Sequence, residues 1–170
     1  AEIARRWPAL CVIGAAGAGK STAMRQLAAA WAADVEAPVP VFVPMHRLVK
    51  PLRDGEPLSL ATVVELGLAV DARLAPVLVD RLRDGSAALV LDGLDECRDQ
   101  QDAAVQLIRR LAEQLHPSAG LVVSARDAVV AMEVNISTKL DMSRVGGPNP
   151  ILRDPGIDCR RPRSPRRSRC

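Results

Sequence analysis

The chain has 170 residues, 48% of them apolar and 25% charged, with two Trp, one Phe and no Tyr. This composition excludes disorder throughout, collagen and a small disulfide scaffold, and no stretch approaches the roughly 18 uninterrupted apolar residues of a membrane-spanning helix. The net charge of +3 is uneven: residues 151–170 hold seven arginines against two aspartates, so residues 1–150 carry 16 basic and 18 acidic side chains and form no basic nucleic-acid-binding body.

Arg5-Arg6 and the apolar residues 8–18 imitate a secretory signal. The competing reading is a buried strand over Leu10–Ile13 that runs into a glycine loop. Gly14-Ala15-Ala16-Gly17-Ala18-Gly19-Lys20-Ser21 satisfies G-x-x-x-x-G-K-[ST], with Thr22 beside it. Met24, Leu27, Ala28 and Trp31 follow at helical spacing, so the motif lies between a strand and an amphipathic helix. That is the context a phosphate loop needs, and it decides for the strand.

The chemistry follows from the residue types. Small side chains let the backbone curl around phosphates, and loop amides and the helix N-terminus point at the anion. Lys20 is the candidate for the β- and γ-phosphates, the Ser21 hydroxyl for Mg²⁺, and Thr22 for the α-phosphate region.

Val39–Val43 reads as a second strand, kept to an edge or an early position by Pro40. A helix is predicted from Ser59 to about Val70, with Thr62 and Glu65 as its capping box. Leu74, Val77, Leu78 and Leu82 form a further helical stripe, stopped at Asp84-Gly85. Ala87–Leu91 is continuously apolar, as in a strand covered on both faces. Val105, Ile108, Leu111, Ala112 and Leu115 line a helix ending at His116-Pro117, and Leu121–Ala125 reads as a fourth strand. Alternating strands and helices predict an α/β three-layer sandwich with a mainly parallel sheet.

The third strand ends in Asp92-Gly93-Leu94-Asp95-Glu96. A carboxylate in that position suits the Mg²⁺ shell of a nucleotide, often through water, and Asp92 takes the role. Glu96 is the first candidate to orient or deprotonate an attacking water, and Asp95 the second.

These residues resemble the extended Walker B motif of NACHT-type NTPases, in the STAND class of signalling ATPases. Pro40-Val41-Phe42-Val43-Pro44, Arg47-Leu48 and Ser59-Leu60 agree with that resemblance. Leu121-Val122-Val123-Ser124-Ala125-Arg126 resembles the family's sensor 1 strand, which implies that Arg126 touches the γ-phosphate. The resemblance covers roughly residues 8 to 130. It implies a sensor strand lying between the P-loop and Walker B strands, and a signalling or defence switch whose ATP state controls oligomerisation.

The family's downstream parts are not matched. Gly146-Gly147-Pro148 follows Arg126 too soon to be the family's Gly-x-Pro segment, and neither His46 nor His116 suits its winged-helix histidine. No fifth strand shows beyond sensor 1. The expected organisation is a P-loop core over residues 1–133 and an irregular Arg/Pro/Ser-rich tail over 134–170, the pattern of a core cut short with an aberrant extension. A first residue of Ala rather than Met agrees with a fragment or a processed product.

The expected function is Mg²⁺-dependent ATP binding and slow cleavage to ADP and phosphate. Its first alternative is a nucleotide-binding switch module, or a fragment, without significant turnover. A GTPase is suggested by Thr138-Lys139-Leu140-Asp141 but opposed by Asp92-Gly93-Leu94-Asp95 where D-x-x-G is needed. Nucleic-acid binding through the tail arginines has no neighbouring aromatic to stack bases. Cys11, Cys97, Cys159 and Cys170 show no C-x-x-C spacing and read as reduced thiols of a cytoplasmic protein. The expected partners are ATP or ADP, with self-association in a full-length context and neither a membrane nor a nucleic acid.

Overall fold

Among the described residues four apolar runs form strands: β1 (Ala9–Ile13), β2 (Val39–Pro44), β3 (Ala87–Asp92) and β4 (Gly120–Ala125). They pair in the order β1-β4-β3-β2, and every pair is parallel. The computed structural model describes residues 9–68 and 72–126. Expectations that fall on other residues lie outside this description: the breaker cluster at 146–148, Thr138-Lys139-Leu140-Asp141, the division at 133/134 and the arginine-rich tail.

Parallel neighbours require crossovers, and helices supply them. Helix α1 (Lys20–Ala33) joins β1 to β2. A 3₁₀ turn (Met45–Leu48), α2 (Val49–Arg53), α3 (Leu60–Gly67) and α4 (Ala75–Asp84) lie between β2 and β3. A second 3₁₀ segment (Leu94–Gln100) and α5 (Gln101–Gln114) return the chain to β4.

Successive strand residues point to opposite faces, so each strand feeds two cores. Ala88, Val90 and Val122 pack with Met24 and Trp31 of α1 on one face. Leu89, Leu91, Leu121 and Val123 enter the larger core on the other, with Val63 and Val64 of α3, Val79 and Leu82 of α4, and Leu107 and Leu111 of α5. The central strands β3 and β4 are buried at every residue, whereas β1 is half-buried along its length. The three layers and the continuous burial of 87–91 agree with the sequence expectation. So do the position of the sensor strand between β1 and β3 and that of Pro40 in the outer strand β2 among the described residues.

Two local expectations are corrected. Thr62 is not the cap of α3: Ser59 is, accepting the Thr62 amide on Oγ at 3.1 Å with the two hydroxyls 2.9 Å apart. Ser59 sits in extended backbone, so its oxygen reaches the third amide of the helix, whereas Thr62 already has helical neighbours on both sides. The apolar stripe of α4 is also displaced. Ala75, Val79 and Leu82 are buried with Leu78 packed against them, while Leu74 and Val77 remain 52% and 54% exposed. Ala75 satisfies the same spacing as Leu74 and starts the buried face one residue later.

Candidate functional site

In a parallel sheet the carboxyl ends of the strands share one edge, and the register aligns them here. Ile13 stands opposite Ala125, Leu91 opposite Val123 and Pro44 opposite Asp92. Loops leaving those ends meet over the edge, where open α/β sheets bind ligands.

The loop after β1 is anchored by Gly14, whose amide donates to the Ala125 carbonyl at 3.3 Å. A turn follows, with the Ala18 amide on the Ala15 carbonyl at 3.2 Å. Gly17 and Gly19 have φ of +76° and +81°, the left-handed region that β-carbons disfavour. A Cβ at either would meet nothing within 4 Å, so backbone conformation rather than space calls for glycine. Helix α1 then starts at Lys20 with no side-chain cap and no acidic residue in its first turn. Its leading amides therefore face the cleft without an internal acceptor. Lys20 curls back across the loop, its Nζ donating to the carbonyls of Gly14 at 2.7 Å and Ala15 at 3.1 Å.

Opposite the loop stands the acidic end of β3. A cleft of about 270 Å³ is lined by residues 16–22 on one side and by Gly93, Asp95, Glu96, Ser124 and Arg126 on the other. Gly14 and Ala15 lie behind the loop wall and contribute the carbonyls that hold Lys20. Asp92 lies beneath the wall, 6% exposed, and accepts the Ser124 hydroxyl on Oδ1 at 2.6 Å. The Ser124 oxygen in turn accepts the Gly93 amide at 2.8 Å. This bridge fixes the orientation of Asp92 and leaves its second oxygen for another ligand.

The two further carboxylates have separate partners. Asp95 is ion-paired through Oδ2 with Nε of Arg126, and its Oδ1 is buried with no hydrogen bond among the described residues. Glu96 lies with Oε2 3.3 Å from Nδ1 of His46. Gly93, at φ +85°, makes room for it: a Cβ there would sit 2.9 Å from Cδ of Glu96. Cys97 follows on the same segment but faces the core, and burial pushes its thiol up to about 11, with the charges of Glu96 and Asp95 adding to the effect. It behaves as a small buried hydrophobe and not as a nucleophile.

The structure thus brings together the expected loop residues, Asp95, Glu96 and Arg126 around one cleft, with Asp92 just below. Sequence reasoning gives Ser124 no role beyond its place in the sensor 1 strand and sets His46 aside. Ser124 carries a signal, a lone hydroxyl in a fully buried apolar strand that must find a partner. His46 carries none, because its proximity to Glu96 depends on the pairing of β2 with β3.

Mg²⁺ takes oxygen ligands and keeps several waters, so a protein commonly offers it one or two carboxylates beside the phosphates. The donors here fit that demand: the Ser21 hydroxyl, the free oxygen of Asp92 and the orphaned Oδ1 of Asp95 are all hard oxygens. Among the described residues no cluster of three His, Cys, Asp or Glu side chains forms a metal cage.

A family model described as the NACHT domain matches residues 9–147. No curated protein and no solved structure matches the chain.

Proposed function

The chain belongs to the NACHT domain family and is therefore a nucleotide-binding NTPase domain, and we propose on that premise that it binds ATP with Mg²⁺ and cleaves it slowly to ADP and phosphate. The observation that carries the reading is the cleft in which the glycine loop and the uncapped start of α1 face Asp95, Glu96 and Arg126. One wall supplies positive charge and amide donors for phosphates, and the other supplies carboxylates for a water.

Loop amides and Lys20 bind the phosphates, with Lys20 exchanging the carbonyls of Gly14 and Ala15 for phosphate oxygens. Ser21 and Asp92 hold Mg²⁺, with Thr22 beside the α-phosphate. When bound, the metal neutralises charge that develops on the phosphoryl oxygens. Glu96 orients the attacking water and accepts its proton. Asp95, ion-paired with Arg126 before nucleotide binds, is the second candidate. Arg126 meets the γ-phosphate by giving up that ion pair, which makes the pair a natural reporter of nucleotide state.

Slow turnover is expected because intrinsic hydrolysis by switch NTPases is slow even with every part of the site in place. The proposal extends to a cytoplasmic signalling or defence role in which ATP state governs self-association. Among the described residues no helix is long and apolar enough to cross a membrane.

The test is nucleotide binding and phosphate release in two variants. Lys20→Ala is expected to abolish measurable affinity, and Glu96→Gln to keep ATP affinity while turnover falls at least about 100-fold, the range for loss of a general base. Wild-type affinity in Lys20→Ala would remove the phosphate-loop assignment.

A further inference from the structure

His46 stands on the 3₁₀ turn that leaves β2, and Glu96 on the one that leaves β3. Because Pro44 pairs with Asp92, the two strand exits lie side by side and the turns run along the same sheet edge. The imidazole Nδ1 and the carboxylate Oε2 meet there at 3.3 Å. The contact requires only a proton on Nδ1, which either the imidazolium or the Nδ1–H tautomer provides.

The turn that presents His46 is firmly held. Met45 and Leu48 on either side of it are fully buried. Arg47 donates to the carbonyls of Leu66 at 3.2 Å and Gly67 at 3.0 Å, tying the turn to the end of α3. The imidazole itself is 60% exposed and contributes little to the core. Across from it, the other oxygen of Glu96, Oε1, lies 3.2 Å from the point a Cβ on Gly93 would occupy, and both Gly93 and Glu96 line the cleft. One carboxylate oxygen is therefore engaged by His46, and the other lies beside Gly93, its neighbour in the cleft lining.

We infer that His46 is a positioning residue for the hydrolytic step: it holds Oε2 of Glu96 so that Oε1 is presented to the attacking water. The inference rests on the reading of Glu96 as the group that orients that water. A glutamate has three rotatable side-chain bonds, and misplacement of a reacting group by about 1 Å costs up to about 100-fold in rate. A donor on a pinned turn restricts that freedom before substrate arrives. His46 touches neither phosphate nor water, so its loss should leave nucleotide affinity alone.

The experiment compares single-turnover phosphate release and fluorescent ATP-analogue binding in the whole chain and in His46→Ala, His46→Asn, Glu96→Gln and the His46→Ala/Glu96→Gln pair. His46→Ala is expected to lower the rate about tenfold with the analogue's Kd within about twofold of wild type. His46→Asn, whose Nδ2 reaches the place of Nδ1, should restore most of the rate. His46→Ala should add no further loss to Glu96→Gln. An unchanged or faster rate in His46→Ala, with Glu96→Gln inactive, overturns the role of His46 and leaves that of Glu96 standing. The role of His46 is likewise overturned if Asn fails to rescue, or if His46→Ala slows the Glu96→Gln protein as strongly as the wild type. A wild-type rate in Glu96→Gln removes the role of Glu96 and that of His46 with it.

Discussion

At the scale of single residues, the site depends on a buried hydroxyl to which the sequence motifs assign no role. Ser124 satisfies two groups at once, the Gly93 amide and Oδ1 of Asp92, with no exposure of its own. Truncation to Ala would leave both without that partner beside the cleft, at a cost of about 1–3 kcal/mol for each buried group left unpaired. Ser124→Ala is accordingly expected to lower the urea midpoint by the equivalent of at least about 2 kcal/mol without changing the slope. It should also weaken Mg²⁺-dependent nucleotide binding, because Asp92 loses its fixed orientation. The phosphate loop and the acidic strand end are legible in the sequence because backbone curvature, phosphate charge and metal ligation each demand particular residue types at fixed spacing. The Asp95–Arg126 pair and the His46–Glu96 contact are not, since both join residues that only the folded sheet brings together.

At the scale of elements, strands are easier to read than helix ends. The buried strands β3 and β4 are unbroken apolar runs bounded by turn residues, and such runs have few other uses in a chain of this composition. Helix starts are ambiguous where polar residues recur three apart, as Ser59, Thr62 and Glu65 do, because two overlapping patterns satisfy the same spacing. Backbone geometry selects Ser59. Ser59→Ala is therefore expected to cost about 1 kcal/mol in thermal or urea unfolding, and Glu65→Ala less than about 0.5 kcal/mol. Equal losses would restore the Thr62–Glu65 cap. The face of α4 departs from its sequence pattern for a related reason: Leu74 outweighs Ala75 in hydrophobicity, yet the packing surface of α3 and β3 takes the smaller side chain.

At the scale of the whole molecule, periodicity predicts helices on both faces of a parallel sheet but says nothing of strand order. The position of β4 between β1 and β3 is implied by resemblance to NACHT-type NTPases, and the structure agrees with it. That order has a functional consequence. It puts Ser124 and Arg126, at the end of β4, between the glycine loop after β1 and the acidic end of β3, so one strand contacts both halves of the cleft. The same order separates β2 from the loop and sets it beside β3, where His46 of the turn after β2 meets Glu96 of the turn after β3. Helix α1 meanwhile couples the loop to the smaller core through Met24 and Trp31, which makes the loop part of the folded layer and not an appendage.

The central claim is that this fold holds an adenine nucleotide by its phosphates. The most direct measurement purifies the chain without added nucleotide, denatures it and identifies what is released by chromatography, followed by Mg-ATP titration of any empty protein. The account predicts ADP or ATP in near-stoichiometric amount, or saturable Mg-ATP binding that Lys20→Ala removes. A folded protein that releases nothing and fails to bind added Mg-ATP would contradict it.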